Sequence, residues 1–187
     1  HGARMYSLED LFSEDELEVW FRRTAEAVAA AHEAAIDDAV EYLEEHAIGT
    51  RAGAGGVAQL DVTGMIATRF RHHDSRDGDP QLHDHVVVAN KVYDPQSDRW
   101  RTLDGAALYR SAVSASEHYN QRLVAHLSAR GFSFSPRSTG PGKRPVMEVD
   151  GIDPRLMSQS AKRSAARLGS LLTTRSSPGT DISIRTR

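Results

Sequence analysis

A long Ala- and Glu-rich stretch and a second, Ala-containing one, both with helical spacing, bracket a middle third that Gly, Pro and Asp cut into short β-branched runs, and this order constrains the fold most. Ser13-Glu14-Asp15-Glu16 reads as a capping box, with Ser13 as N-cap and Glu16 answering it three residues on. The helix it opens extends to about His46, with Leu17, Trp20, Phe21, Ala25, Val28 and Ala29 at helical spacing. Ile48-Gly49 ends it. The Gly-rich stretch 52–56 lacks the Lys-Ser/Thr ending of a phosphate-binding loop and reads as a flexible connector. Residues 57–72 are strand-like, with a bulge or bend at Gly64, and 74–81 form a turn-rich loop. A second strand over 83–93 carries Val86-Val87-Val88, and a turn at 95–98 folds 99–103 back on it as a hairpin. Asp104 caps a long helix over 106–130 that Gly131 terminates. Two short strands, 132–135 and 145–149, flank a Ser/Pro/Gly loop holding Lys143 and Arg144. Pro154 opens a last helix that reaches about Leu172. The pattern predicts an α+β domain over 1–172, an antiparallel sheet with helices packed on one side, followed by a Ser/Thr/Arg-rich tail over 173–187 without periodicity.

Composition narrows the chemistry. The 187 residues include no cysteine, which removes disulfides, thiolate zinc sites and Cys nucleophiles together and fits a cytoplasmic protein. No apolar run approaches the length needed to cross a bilayer, so no membrane role is expected. The sequence begins His1-Gly2-Ala3-Arg4, with neither an initiating Met nor a signal-peptide pattern, and is read as a fragment, a processed chain or a tag remnant. The net charge of −3 hides an asymmetry: residues 1–100 hold 9 Lys/Arg against 20 Asp/Glu, residues 101–187 hold 14 against 6. A basic surface is therefore expected in the second half, away from an acidic first helix.

The nine histidines are the remaining candidates for metal ligands. His83 and His85 are one residue apart in a predicted strand, so both rings project from one face and Asp84 from the other. His72 lies near the end of the preceding strand and reaches the same face if the two strands pair. Its neighbour His73 is an equal candidate on these grounds. An isolated H-x-H also occurs in half-exposed strands that bind nothing. Three neutral imidazoles on a rigid sheet would leave coordination positions open, the arrangement of a catalytic site. Arg69, Arg71, Arg76 and Lys91 nearby would suit a phosphate. His118 and His126, eight apart on the second helix, read as helix-face residues rather than ligands.

The stretch Phe70-Arg71-His72-His73-Asp74-Ser75-Arg76, followed by Asp79-Pro80-Gln81-Leu82-His83-Asp84-His85-Val86-Val87-Val88-Ala89-Asn90, resembles the three-histidine motif of the TrwC-type (MobF) conjugative relaxases of the HUH endonuclease superfamily. The similarity continues through Arg99-Trp100-Arg101-Thr102-Leu103-Asp104-Gly105 and Glu117-His118-Tyr119-Asn120. It reaches back to Ala30-Ala31-His32-Glu33-Ala34-Ala35, covering about residues 25–168. The resemblance implies His72, not His73, as the first ligand, with His83 and His85 as the others. It implies a divalent metal, Mg²⁺ or Mn²⁺ with Zn²⁺ as a further choice, which polarises a scissile DNA phosphate. It further implies attack by a tyrosine that stays joined to the 5′ end of one strand at a transfer origin. The family's N-terminal tyrosine cluster is not matched. Tyr6 is the only tyrosine ahead of the first helix, and its Met5-Tyr6-Ser7-Leu8 context differs from the family's. Asp84 stands where the family's H-x-H carries Thr or an apolar residue.

Two functions follow as expectations. One is metal-dependent, site- and strand-specific DNA nicking and strand transfer in conjugation, with Tyr6 as the available nucleophile, or a truncated core of such an enzyme. The other is a non-catalytic single-stranded DNA-binding module that keeps the metal pocket. In both, Arg71, Arg76, Lys91, Arg110, Lys143 and Arg144 are expected to contact DNA, joined by Arg122, Lys162 and Arg163, and other relaxosome proteins are possible partners. A cupin-like three-His oxygenase is excluded, because a cupin needs many more strands.

Overall fold

The computed structural model describes residues 12–76 and 80–152 and the backbone of 181–184. Helix α1 (Glu14–His46) starts where the capping box places it, with the Ser13 N–H donating to the Glu16 carboxylate at 2.9 Å. At 1.5 Å per residue its 33 residues span about 50 Å. Burial begins only at Ala31, and the inward stripe is Ala31, His32, Ala35, Ile36, Ala39 and Leu43. The expected apolar face around Trp20 and Phe21 is exposed, at 55% and 57%.

Strands β1 (Thr50–Ala52) and β2 (Ala58–Leu60) pair antiparallel, so the Gly-rich segment is an ordered hairpin end rather than a flexible connector. Gly53, Gly55 and Gly56 take φ of +81°, +70° and +69° there, a region glycine enters without a Cβ clash. The single strand expected over 57–72 is interrupted. After β2 the chain bends at Gly64, Thr63 bridges to Tyr93, and β3 (Ala67–Asp74) then begins.

β3 pairs antiparallel with β4 (Pro80–Val88) in a register that sets Phe70 opposite His85 and His72 opposite His83. The expected strand 83–93 ends at Val88, where the Ala89 N–H turns back to the Ile66 carbonyl, and β5 (Val92–Asp94) pairs separately with β6 (Arg99–Arg101). That hairpin is tied by Asp94. Its carboxylate accepts the Ser97 hydroxyl and Arg101 Nε, each at 2.6 Å, and the N–H groups of Gln96 and Ser97. These donors, the Ser97 hydroxyl foremost, hold its pKa down at about 2.

Asp104 accepts the Ala106 N–H and opens helix α2 (Gly105–Arg110). The one long helix expected over 106–130 is two, because the chain turns at Ser111 before α3 (Ala112–Ser128). Strands β7 (Phe134–Arg137) and β8 (Val146–Val149) form a fourth hairpin. The tail, which the sequence offered as patternless, contributes β9 (Asp181–Ile184), paired with β4 on the side away from β3. The order β3-β4-β9 makes β4 the central strand of its sheet. The last expected helix, with Lys162 and Arg163, lies outside the described residues, as does Tyr6.

One core cluster joins Ala35, Ile36 and Ala39 of α1 to Val86 of β4 and Tyr119 of α3. A second gathers Leu43, Ala47, Val92, Leu103, Leu108 and Ala115. Both lie on the helix side of the β3–β4 pair. The other side is open: Phe70 is 52% and Val87 47% exposed. No helix among the described residues is long and apolar enough to cross a membrane.

Candidate metal centre on the open face of the sheet

Strand alternation divides β3 and β4 into two chemically different faces. Phe70, His72, His83, His85 and Val87 share the open side, while Arg69, Arg71, Asp84 and Val86 turn toward the helices. Cross-strand pairing brings His72 to His83, and period 2 brings in His85. The ring centres stand 5.3 Å (His72–His83), 5.0 Å (His72–His85) and 5.2 Å (His83–His85) apart. These contacts are made by His72 and not by its neighbour His73, and the ladder shifts register between His72 and Asp74.

The spacing suits a shared ion. An imidazole nitrogen about 2.1 Å from a metal puts its ring centre about 3.2 Å away, so two such rings at a tetrahedral angle stand about 5.2 Å apart. The His83 Nδ1–H donates to the Gln81 carbonyl at 2.9 Å, which leaves the lone pair on Nε2. In these rotamers no group of three His or acidic side chains among the described residues forms a ready coordination set. A shared ion would require rotation about the side-chain torsions of these gathered rings.

On the helix side Asp84 is almost fully buried, so the acidic residue inside H-x-H is not solvent-facing. His32 Nε2 lies 3.0 Å and Arg71 Nε 3.2 Å from its Oδ1. Arg69 Nε lies 3.4 Å from Oδ2, while its two terminal nitrogens bind Asp37 and Glu33 of α1 at 2.9 Å. Burial alone would raise the Asp84 pKa, but the hydrogen bonds from Arg71 and His32 and the charge of Arg71 outweigh it and hold the group below its ordinary value. His32, in turn, is pushed down chiefly by burial.

The cations expected on DNA sort differently. Arg71 does not share the histidine face; alternation sends it to the opposite side, onto Asp84. Arg122 is paired within the protein, to Asp38 of α1 at 2.6 Å, with its side chain still partly exposed. Arg76, Lys91, Arg110, Lys143 and Arg144 are exposed, in the β3–β4 turn, after β4, at the end of α2 and in the β7–β8 loop. His126 binds the same Asp38 at 2.7 Å, and His118 stacks on Tyr42. The sequence reading missed His32 and Tyr119, which sit under the site. Their signal was the helical spacing of His32 with Ala35, Ile36 and Ala39, which assigns it to a buried stripe that cannot leave an imidazole unpaired.

A sheet with helices on one face and three gathered histidines on the other defines an α+β domain that presents its imidazoles on an open surface. The TrwC relaxase family matches residues 18–173, and the chain belongs to that family. It is 28% identical over 167 residues to the multifunctional conjugation protein TraI of Escherichia coli K12, covering 84% of this chain and 8% of that protein. A second Escherichia coli TraI is 31% identical over 132 residues, covering 65% and 7%. Among solved structures, the conjugative relaxase TrwC in complex with mutant oriT DNA superposes with a TM-score of 0.66 at 23% identity, over 82% of this chain and 52% of that one. A metal-bound TrwC–oriT DNA complex gives 0.65 at 22%, with the same coverage. The chain thus spans under a tenth of its curated relatives and about half of the relaxase chains whose fold it shares.

Proposed function

We propose that this chain is the metal- and DNA-holding core of a conjugative relaxase, acting in the cytoplasm on single-stranded DNA at a transfer origin. The observation that carries the reading is the meeting of His72, His83 and His85 on the open face, 5.0–5.3 Å apart ring to ring, in a member of this family. A bound divalent ion would neutralise charge on the phosphoryl oxygens of the scissile phosphate. Three imidazoles suit Mn²⁺ or Zn²⁺ better than Mg²⁺, which prefers oxygen donors. The chain's own groups would hold the strand: Phe70, beside His85 in the register, offers a flat apolar surface for a base, and the exposed cations suit its phosphates.

Strand cleavage needs a phenolate that attacks phosphorus and expels the 3′ oxygen. Tyr119 is buried, Tyr93 donates to Asp98 at 2.5 Å, and Tyr42 is stacked between His46 and His118. Tyr109 is exposed on α2, and none of these four makes a ring contact with the three histidines. Tyr6 is the remaining tyrosine of this chain. The test is incubation with Mn²⁺ and a transfer-origin oligonucleotide, followed by denaturing electrophoresis. The expected result is metal-dependent binding without a covalent protein–DNA band. A band lost in Tyr6→Phe would make Tyr6 the nucleophile; binding that ignores both metal and His85→Ala would refute the metal-centre reading.

A further inference from the structure

Behind the three histidines a chain of buried polar groups crosses from α3 through α1 to the sheet. Tyr119 Oη lies 2.7 Å from His32 Nδ1, and His32 Nε2 lies 3.0 Å from Asp84 Oδ1. All three residues are at most 3% exposed. An ionised Asp84 can only accept, so His32 carries its proton on Nε2. Nδ1 is then an acceptor, and the Tyr119 hydroxyl donates to it. The order Tyr–His–Asp matches a nucleophile–base–orienter triad, but Tyr119 is sealed in the core, and burial pushes its pKa up. No substrate reaches it. The relay therefore serves position rather than chemistry.

Its position is specific. Asp84 lies between His83 and His85, on the opposite face of the central strand. One carboxylate thus gathers α1 through His32, α3 through Tyr119 and β3 through Arg71 and Arg69. Oδ2 accepts no hydrogen bond among the described residues although Arg69 Nε is 3.4 Å away, so the group is held by its Oδ1 partners. A strand fixed at its middle residue cannot slide or roll against the helices. Sliding or rolling would move both flanking histidines together.

We propose that Asp84 is a positioning residue for the metal centre: the Tyr119–His32–Asp84 relay, closed by Arg71, locks the H-x-H segment so that His83 and His85 meet His72. The proposal rests on the metal-centre reading above. Groups that orient ligands from behind commonly change metal affinity about 10- to 100-fold, and the same order is expected here.

The test compares wild type with Asp84→Asn, Tyr119→Phe and His85→Ala by calorimetric Mn²⁺ titration and by the visible spectrum of the Co²⁺ form, with thermal melting in parallel. Measurements are made well below each melting point, so that only folded protein is read. Asp84→Asn is expected to weaken Mn²⁺ binding about tenfold or more and to alter the Co²⁺ absorption bands while leaving one bound ion. Tyr119→Phe keeps the ring and removes one hydroxyl, so it remains informative if Asp84→Asn fails to fold; it is expected to weaken binding severalfold. Melting points that fall while affinity and Co²⁺ bands stay at wild-type values in both variants would overturn the proposal and leave the relay purely structural. A wild type that binds no ion, or a His85→Ala that binds like wild type, would overturn the metal centre itself and the proposal with it.

Discussion

Val86 and His85 are neighbours on one strand, and replacing each by alanine should damage a different property. Val86 is 4% exposed and packs with Ala35, Ile36, Ala39 and Tyr119. Val86→Ala deletes two buried methyl groups and leaves part of their volume empty, a loss of about 2–3 kcal/mol from transfer and cavity terms together. For a chain of this size that lowers the melting temperature by about 4–10 °C. Metal affinity should stay near the wild-type value, because Val86 is no ligand and the Tyr119–His32–Asp84 hydrogen bonds that fix the strand remain in place. His85→Ala removes a half-buried ring from the open face, where substitutions usually cost about 0.5 kcal/mol or less, so the melting temperature should hardly move. Divalent-ion binding should be abolished, while His73→Ala should leave it unchanged. Calorimetric Mn²⁺ titration and thermal melting by circular dichroism on the three variants measure both properties. A His85→Ala that destabilises as much as Val86→Ala, or a Val86→Ala that loses the ion, would refute the division of the sheet into a ligand face and a core face.

Single-stranded DNA affinity should fall steeply with salt, by about 0.7 log units per log unit of salt for each phosphate neutralised, and the double variant Lys143→Gln/Arg144→Gln should flatten the slope by about 1.4. An unchanged slope would remove the β7–β8 loop from the DNA surface. Phe70→Ala should weaken oligonucleotide binding by roughly tenfold, with Phe70→Trp restoring it; equal affinities in a filter-binding titration would exclude stacking there. Asp94, with its pKa held at about 2 in the folded chain against about 3.9 unfolded, contributes stability that is fully present above about pH 4 and is lost as pH falls through about 2. Asp94→Asn should therefore be less stable at neutral pH and lose less between pH 4 and 2, and coincident acid limbs in urea unfolding curves would show the hairpin tie to be without weight.

The face-level geometry of the site was legible because it follows from period 2 alone. His83, His85 and Asp84 sort themselves once a strand is recognised, and the family motif chose His72 over His73. The same alternation should have removed Arg71 from the DNA side, since it is one residue from His72. The helix pattern identified α1 and its cap but could not tell which turns find a partner, so Trp20 and Phe21 looked like core. The break at Ser111 and the interruption after Leu60 depend on tertiary hydrogen bonds, such as the Thr63–Tyr93 bridge, that leave no periodic trace. β9 was illegible for a related reason: four residues paired with a strand a hundred positions away carry no local signature. Asp84 departs from the family pattern in sequence, but its burial depends on His32 and Tyr119 behind it, residues 52 and 35 positions away that no local pattern connects to it.

The pairing of β9 with β4 also orders events in time. β3 and β4 are only five residues apart in the chain and can zip as a local hairpin, whereas Ser183 meets His85 across 98 positions of chain. Loop closure over that separation delays the second flank of β4 relative to the first. During synthesis the strand bearing His83 and His85 therefore exists for an interval as a sheet edge, with Val86-Val87-Val88 and a row of unpaired backbone groups presented to any other chain. Such an edge is a template for intermolecular pairing. Arrival of β9 moves that edge from the strand bearing the histidines to a strand of four residues, a length that offers a short template for further pairing.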